Sequence, residues 1–397
     1  MKITYIISNI NSQSKGNGGH YYSLLSTISM LKNVHEIKII NIGTQNSIAF
    51  RNEGKKIINI IDNKLNNFKL LVRLYKHIKT DQPHVLHAFD EFAYFYVRII
   101  SVLLKIPVIL TKCGGVNPKY FYPFCKNFII YSRENLNYFK AQRRYVNSII
   151  YLIPNRILPF ENDIVRISEL QEKFPLRNYR FIFLRIGRIG PAYKKSTIEL
   201  INVVEECNKS NLKSCLLLIG IIEDFAILKE IQSYQKKNVF IETDNYYTQN
   251  AKELIDIADI VLGTGRSLME AALKDKIILA PVNNGSNIVL VDDNNFEELF
   301  KTNFSERGLL KNFDPQLEIN KLINIIEFPD IREKVIKGNR LLFNENFNLE
   351  YALNTYNELY NSIKFKYSFK VLDTLLNYIF LIIFFRANKS IAKNNKL

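Results

Sequence analysis

The sequence predicts an α/β protein built from two Rossmann-like, doubly wound domains. Three observations predict it. Short apolar runs alternate with helical stretches twice over the 397 residues, the pattern of strands and crossover helices in a parallel sheet. Polar, glycine-containing loops follow Ser8, Leu184 and Leu262. Each lies at the carboxyl end of an expected strand, where such sheets take their ligands. A charged, helix-like segment, Glu161 to Arg177, links the two series. A chain of this length accommodates two domains of ordinary size.

In the first half, Lys2 to Ser8 reads as a buried strand. A loop from Ser14 to His20 follows, carrying Gly16, Gly18 and Gly19, then a helix over Tyr21 to Leu31. The loop lacks the G-x-G-x-x-G spacing of a dinucleotide fingerprint. Glu36 to Ile42 and Ile57 to Ile60 are short strands. In Phe68 to Lys79, Leu70, Leu71, Leu74 and Ile78 form one stripe, with Lys69, Arg73, Lys76 and Lys79 largely on other faces. That pattern fits a solvated helix or one facing a membrane. Pro83 to Ala88, Pro107 to Leu110, Phe128 to Tyr131 and Tyr151 to Asn155 are further strands, and Arg133 to Lys140 a helix. His87, at a strand end, suits packing or hydrogen bonding better than service as a base.

The second half opens with the strand Phe181 to Leu184, a loop from Arg185 to Lys195, and a helix from about Ser196. Leu216 to Ile219, Val239 to Ile241 and Ile260 to Leu262 are strands with helices between them. Gly263-Thr264-Gly265-Arg266 then turns the chain into a helix from Ser267, before the strand Ile277 to Ala280. A glycine-rich turn feeding a helix offers free N–H groups and a positive dipole end to a phosphate. Glu270 lies one turn in. The plainer reading of Ser267-Leu268-Met269-Glu270 is a capping box, with Glu270 only closing the helix start.

Composition narrows the function classes. With 47% hydrophobic and 23% charged residues, the chain is core-forming. The N-terminal stretch turns polar too early for a signal peptide. Cys113, Cys125, Cys207 and Cys215 show no metal spacing and read as reduced thiols of a cytoplasmic protein, so no metal site is expected. A formal charge of +16 calls for a partner. No nucleic-acid module is visible, whereas basic residues flank apolar helical stretches, as in segments that lie on an anionic membrane surface.

Taken together, the motifs resemble those of the group 1 (family 4) glycosyltransferases of the GT-B fold, over residues 1 to 365. The motifs are the Gly18-Gly19 loop; PHVLHA; PVILT with a following glycine; IPN at the crossover; GRIG with KKS and LI; and ADIVLGTGRSLMEAALKDKIILAPV. The resemblance implies sugar transfer from a nucleotide-sugar, as substrate and without a cofactor, in an interdomain cleft and with anomeric retention. It places Arg188 and Lys194 or Lys195 on the donor diphosphate. Lys195 fits better, because Leu200-Ile201 follow it at the family's distance. Fixed cations there stabilise charge on the leaving group. Glu270 matches the second of two family glutamates, which binds the donor ribose. Gly18, Gly19, Gly263, Thr264, Gly265, Arg266 and Ser267 fall in the donor loops, and His20, His87 and Asp90 on the acceptor side. Two departures stand out. The first family glutamate would fall at Leu262, where Arg266 or Thr264 could occupy its space, and the family's histidine after PVILT is Cys113.

The expected domains are 1–172, 173–345, a helix over 346–366 returning toward the first domain, and a tail over 367–397. In the tail, Val371 to Phe385 would form a helix of about 22 Å, short for a ~30 Å bilayer core. Lys364, Lys366 and Lys370 precede it and Arg386, Lys389, Lys393 and Lys396 follow. This reads as an interfacial anchor, with a buried final helix as the alternative. The implied enzyme extends a lipid-linked glycan at the cytoplasmic face of the membrane during surface polysaccharide (capsule or lipopolysaccharide) assembly. A nucleotide-sugar epimerase or hydrolase of the same architecture, or an inactive scaffold subunit, are the other readings.

Overall fold

Isoleucine-rich runs become strands because branched side chains pack well on a pleated surface. The computed structural model describes residues 1–10, 16, 18–51, 57–62, 67–118, 121–234, 237–285, 287–347, 349–366, 370–380 and 382. The chain divides into two compact units, Met1–Arg156 with Leu349–Leu397, and Ile157–Asn348.

In the first unit, strand β1 (Lys2–Asn9) leads to helix α1 (Gly19–Leu31), β2 (Glu36–Gly43), β3 (Ile57–Ile61), α2 (Asn67–Asp81), β4 (Val85–Ala88) and α3 (Glu91–Leu104). Then come β5 (Val108–Lys112), β6 (Asn127–Ile130), α4 (Arg133–Ala141) and β7 (Ile149–Leu152). All seven strands are parallel, in the order β3-β2-β1-β4-β5-β6-β7. The last strand ends before the expected Asn155. Ile153 still donates to the Ile130 carbonyl, but Pro154 has no N–H to continue the ladder.

The second unit starts with α5 (Ile164–Lys173), whose Ile167 and Leu170 are buried in its core. This segment, expected as a linker, is part of the fold. Then follow β8 (Phe181–Ile189), α6 (Lys194–Lys209), β9 (Ser214–Ile222), α7 (Phe225–Ser233), β10 (Val239–Glu242), the single turn α8 (Asn245–Thr248) and β11 (Ile260–Leu262). The unit closes with α9 (Arg266–Ala272), β12 (Ile277–Pro281), β13 (Ile288–Leu290), α10 (Phe296–Lys301), α11 (Pro315–Glu327) and α12 (Pro329–Phe347). The sheet order is β10-β9-β8-β11-β12-β13, parallel except for β13 against β12.

The helical stretch that the sequence suggests over Arg340 to Ile363, which includes the helix expected over 346–366, is not continuous. Two helices form instead, and the second, α13 (Leu349–Ser362), belongs to the first unit. It is held by hydroxyls in an apolar core. Tyr360 Oη lies 2.5 Å from Tyr5 Oη and 2.9 Å from His87 Nδ1. His87 Nε2 lies 2.6 Å from Thr111 Oγ1, and its ring stacks on Tyr5 at 4.6 Å. A helix over 371–380 adds Asp373, a buried carboxylate held by Arg98. No helix among the described residues is long and apolar enough to cross a membrane.

His87 is fully buried, and burial lowers its pKa from 6.5 to about 3. It is neutral in the fold but protonated in the unfolded chain below pH 6.5, so acid favours unfolding. Between pH 6.5 and about 3, stability should fall by about 1.4 kcal/mol per pH unit on this account. Urea titrations of His87→Gln and the parent at pH 7 and 5 check it. The parent should lose about 2 kcal/mol more than the variant.

Candidate active site

In each sheet the strand order reverses once, and the loops part at that point to leave a crevice. The second sheet reverses between β8 and β11, which are hydrogen-bonded neighbours with Arg185 opposite Leu262. Arg188 lies on β8 itself, opposite Ile221, not in a loop as expected. Lys194 and Lys195 open α6, and Gly263, Thr264 and Gly265 follow β11. The reversal thus gathers the cations and the glycine turn of the sequence reading on one edge.

Glycine is required in that turn. A Cβ on Gly263 would lie 2.5 Å from the Leu268 nitrogen, and Gly265 has φ +51° with Asn303 Nδ2 3.0 Å from where its Cβ would be. The capping box does not form. The helix starts at Arg266, so Ser267 is inside it, and the Ser267 hydroxyl accepts from the Thr264 amide at 3.0 Å. Glu270 instead accepts from Arg266 Nε at 2.8 Å, one turn back. Glu270 is buried, and burial raises its pKa while Arg266 and Lys252 oppose the rise. The expected dipole is small, because α9 has only seven residues.

Arg188 is half-exposed, with Nη1 2.7 Å from Glu223 Oε1 and Nη2 2.7 Å from the Tyr193 hydroxyl. Burial works against its charge, but Tyr193 and Glu223 outweigh that and hold its pKa up. An incoming anion would compete with Glu223 for the guanidinium. Lys194 pairs with Glu230 at 2.9 Å. Lys195, in the same helical turn, is exposed.

The sequence reading missed a buried group beside these. Arg185, next to the crevice on β8, donates from Nη2 to Ser196 Oγ at 2.8 Å and to Glu306 Oε1 at 3.3 Å. Its Nη1 finds no partner among the described residues. An arginine inside an apolar strand was the available signal, since buried charges need partners. Glu306, more than a hundred residues away, gave none.

The first sheet reverses between β1 and β4. Asp90 bridges that point, with oxygens 2.6 Å from the Ser8 amide, 2.9 Å from the Ser8 hydroxyl and 2.7 Å from the Ala93 amide. Asp90 therefore caps α3 and ties two strand ends together. Gly18 and Gly19 start α1, whose Tyr21 hydroxyl donates to the Ser8 carbonyl at 2.7 Å. His20 packs on Tyr21, ring centroids 4.1 Å apart. Residues 11–15 and 17 of the expected loop lie outside the described residues. His87 is corrected here. Both its nitrogens are engaged in the core, so it offers no surface to an acceptor. Cys113 donates to the Phe89 carbonyl, and burial pushes its thiol pKa up. The donor-loop glycines 18 and 19 thus belong to the first unit, and the remaining donor positions to the second. No cluster of three metal-ligating side chains occurs among the described residues.

No family profile matches the chain, and no curated protein matches it in sequence. Solved structures do match. HepE from Anabaena in complex with UDP is similar with a TM-score of 0.66 at 15% identity, over 91% of this chain and 100% of that one. A glycosyltransferase from Rickettsia africae ESF-5 gives 0.65 at 15% identity, over 91% and 98%. UDP-GlcNAc 2-epimerase from Neisseria meningitidis bound to UDP-GlcNAc gives 0.51 at 12% identity, over 91% and 100%. The chain therefore has the GT-B glycosyltransferase fold, the one its motifs resemble.

The glycine turn supplies a test of this geometry. Gly263→Ala forces a methyl group against the Leu268 backbone and should cost about 1–3 kcal/mol, as overpacking does. Gly187→Ala, on the neighbouring strand, meets nothing within 4 Å. It should be neutral or stabilise by up to about 1 kcal/mol. Chemical denaturation of both variants measures the contrast.

Proposed function

We propose that this chain is a glycosyltransferase that moves a sugar from a nucleotide-sugar to a lipid-linked glycan acceptor. The carrying observation is the reversal point of the second sheet, where Arg188, Lys195, the glycine turn and the buried Glu270 share one edge. HepE, of the same fold, was solved with UDP bound. When the glycosyl–phosphate bond breaks, the diphosphate leaves with the electron pair. Arg188 and Lys195 stabilise that charge, which gains most when the cations are fixed beforehand. Glu223 and Tyr193 fix Arg188. Two cations in these roles make the step metal-independent. Glu270, oriented by Arg266, accepts hydrogen bonds from the ribose hydroxyls.

His20 and Asp90 of the first unit are the acceptor-side candidates, and the anomeric configuration is retained. The setting is surface polysaccharide assembly at the cytoplasmic face of an anionic membrane, supported by the +16 charge and the basic, apolar tail. Similarity to UDP-GlcNAc 2-epimerase favours one other reading, an epimerase of the same architecture. Incubation with a nucleotide-sugar alone separates them, because an epimerase turns over without an acceptor. The missing glutamate at Leu262 supports a third, an inactive scaffold, which would bind no donor in a thermal-shift screen of nucleotide-sugars.

With a donor from that screen, Arg188→Ala and Lys195→Ala should each lower turnover about 10²- to 10³-fold. Parent-like rates in both folded variants would refute the assignment. Glu270→Gln should weaken nucleotide binding by about 1–3 kcal/mol in calorimetry. Affinity equal to the parent's would remove Glu270 from the donor site.

A further inference from the structure

The helix over 371–380 has its polarity reversed. Its polar residues Asp373, Thr374 and Asn377 are buried. Of its apolar residues, Val371, Leu372, Leu375 and Ile379 are 49% to 71% exposed, while Leu376 and Phe380 are half-buried. At 100° per residue the buried polar and the exposed apolar sets lie on opposite faces. A surface helix ordinarily buries the apolar face and solvates the polar one.

The reversal is fixed by charge. Asp373 Oδ2 accepts from Arg98 Nη1 at 2.7 Å, and Oδ1 pairs with Arg144. The Phe124 amide donates to both oxygens, at 3.1 and 3.2 Å. Arg98 and Asp373 are both buried. Rolling the helix over would leave Arg98 in the core without its carboxylate, which is far costlier than exposing leucines. Tyr378 also stacks on Phe95 at 5.5 Å. The apolar row is therefore held outward.

We propose that this row is a membrane-docking face. It enters the interfacial layer of an anionic bilayer, with Lys364, Lys366 and Lys370 over the headgroups. Those three lysines, directly before the helix, are exposed. The one acidic residue of 371–380 is Asp373, turned inward and paired. An apolar row beside cations complements a surface of acyl chains under anionic headgroups. It complements a second copy of the chain poorly. A few side chains on a ten-residue helix do not supply the ~800 Å² per partner of a standard interface, and two chains of +16 repel. The proposal rests on the membrane part of the functional reading and not on the donor site.

Co-sedimentation of the full chain with vesicles tests it, without any donor. Vesicles of phosphatidylcholine with phosphatidylglycerol should bind the parent, and vesicles of phosphatidylcholine alone much less. Leu372→Glu/Leu375→Glu should lower binding to the anionic vesicles at least about tenfold. Gln at all three lysines should do so by about 10²-fold. The chain contains no tryptophan, so Leu375→Trp gives a single reporter whose emission should shift to the blue on the anionic vesicles. Melting temperatures close to the parent's confirm that the exposed substitutions leave the fold intact. Leu372→Ser is the milder variant should the double one unfold. Three results would overturn the proposal: undiminished binding by the folded leucine variant, an unshifted tryptophan, or a parent dimer that the leucine variant converts to monomer. Failure here would leave the donor-site reading standing, because neither arm involves a nucleotide.

Discussion

A chain of buried hydroxyls organises the first unit. Tyr360 reaches into the core from α13 and meets Tyr5 on β1 and His87 on β4, and His87 continues the chain to Thr111 on β5. Each of these groups would cost free energy if left unpaired in so apolar a setting. Together they are satisfied only when α13 lies across three adjacent strands. Packing alone would tolerate a slide of the helix, whereas the hydrogen bonds specify one register. The price is an imidazole that stays neutral deep into acid.

The two reversal points are treated differently by the fold. In the first sheet Asp90 spends its carboxylate on the Ser8 backbone and the start of α3, so the strand ends are clamped. In the second sheet the strand ends carry charged side chains that hold one another. Arg188 takes Glu223, Arg185 takes Glu306, and Arg266 takes Glu270. Three arginines there are matched by three carboxylates, and Lys195 adds a further positive charge. A bound diphosphate would shift the balance, so part of its affinity goes into rearranging these pairs.

Most of the fold was legible because it depends on local pattern. The strand runs and helical stripes survive with ends moved by a few residues, although β8 runs on through Arg188 into the expected loop. What was not legible depends on distant partners. His87 was read as a packing or hydrogen-bonding residue, but its partner Tyr360, 273 positions away, could not be named. Arg185 was read as the first loop residue, and Ser196 and Glu306, which hold it in the strand, gave no sign of doing so. The Ser267-to-Glu270 spacing suggested a capping box, yet Gly265 adopts a conformation that lets the helix begin one residue earlier. In the tail, Asp373, Thr374 and Asn377 fall within the run read as an interfacial anchor. They are the residues that attach it. The cations and Glu270 were found in the sequence through resemblance, and their pairing with Glu223 and Arg266 only in the structure.

Because the first unit uses both ends of the chain, order of synthesis matters. The ribosome delivers β1 to β7 first, but the residues that complete their core, from Leu349 onward, come last. The second unit is contiguous and can finish folding while the first still waits for Tyr360 and Asp373. During that interval the sheet has exposed apolar surface where α13 will lie, and Arg98 has no carboxylate. Loss of the residues from Leu349 onward would therefore injure the unit that contains β1 to β7 and spare the other. The nascent chain's greatest exposure to aggregation and proteolysis should come before the residues from Leu349 onward have emerged.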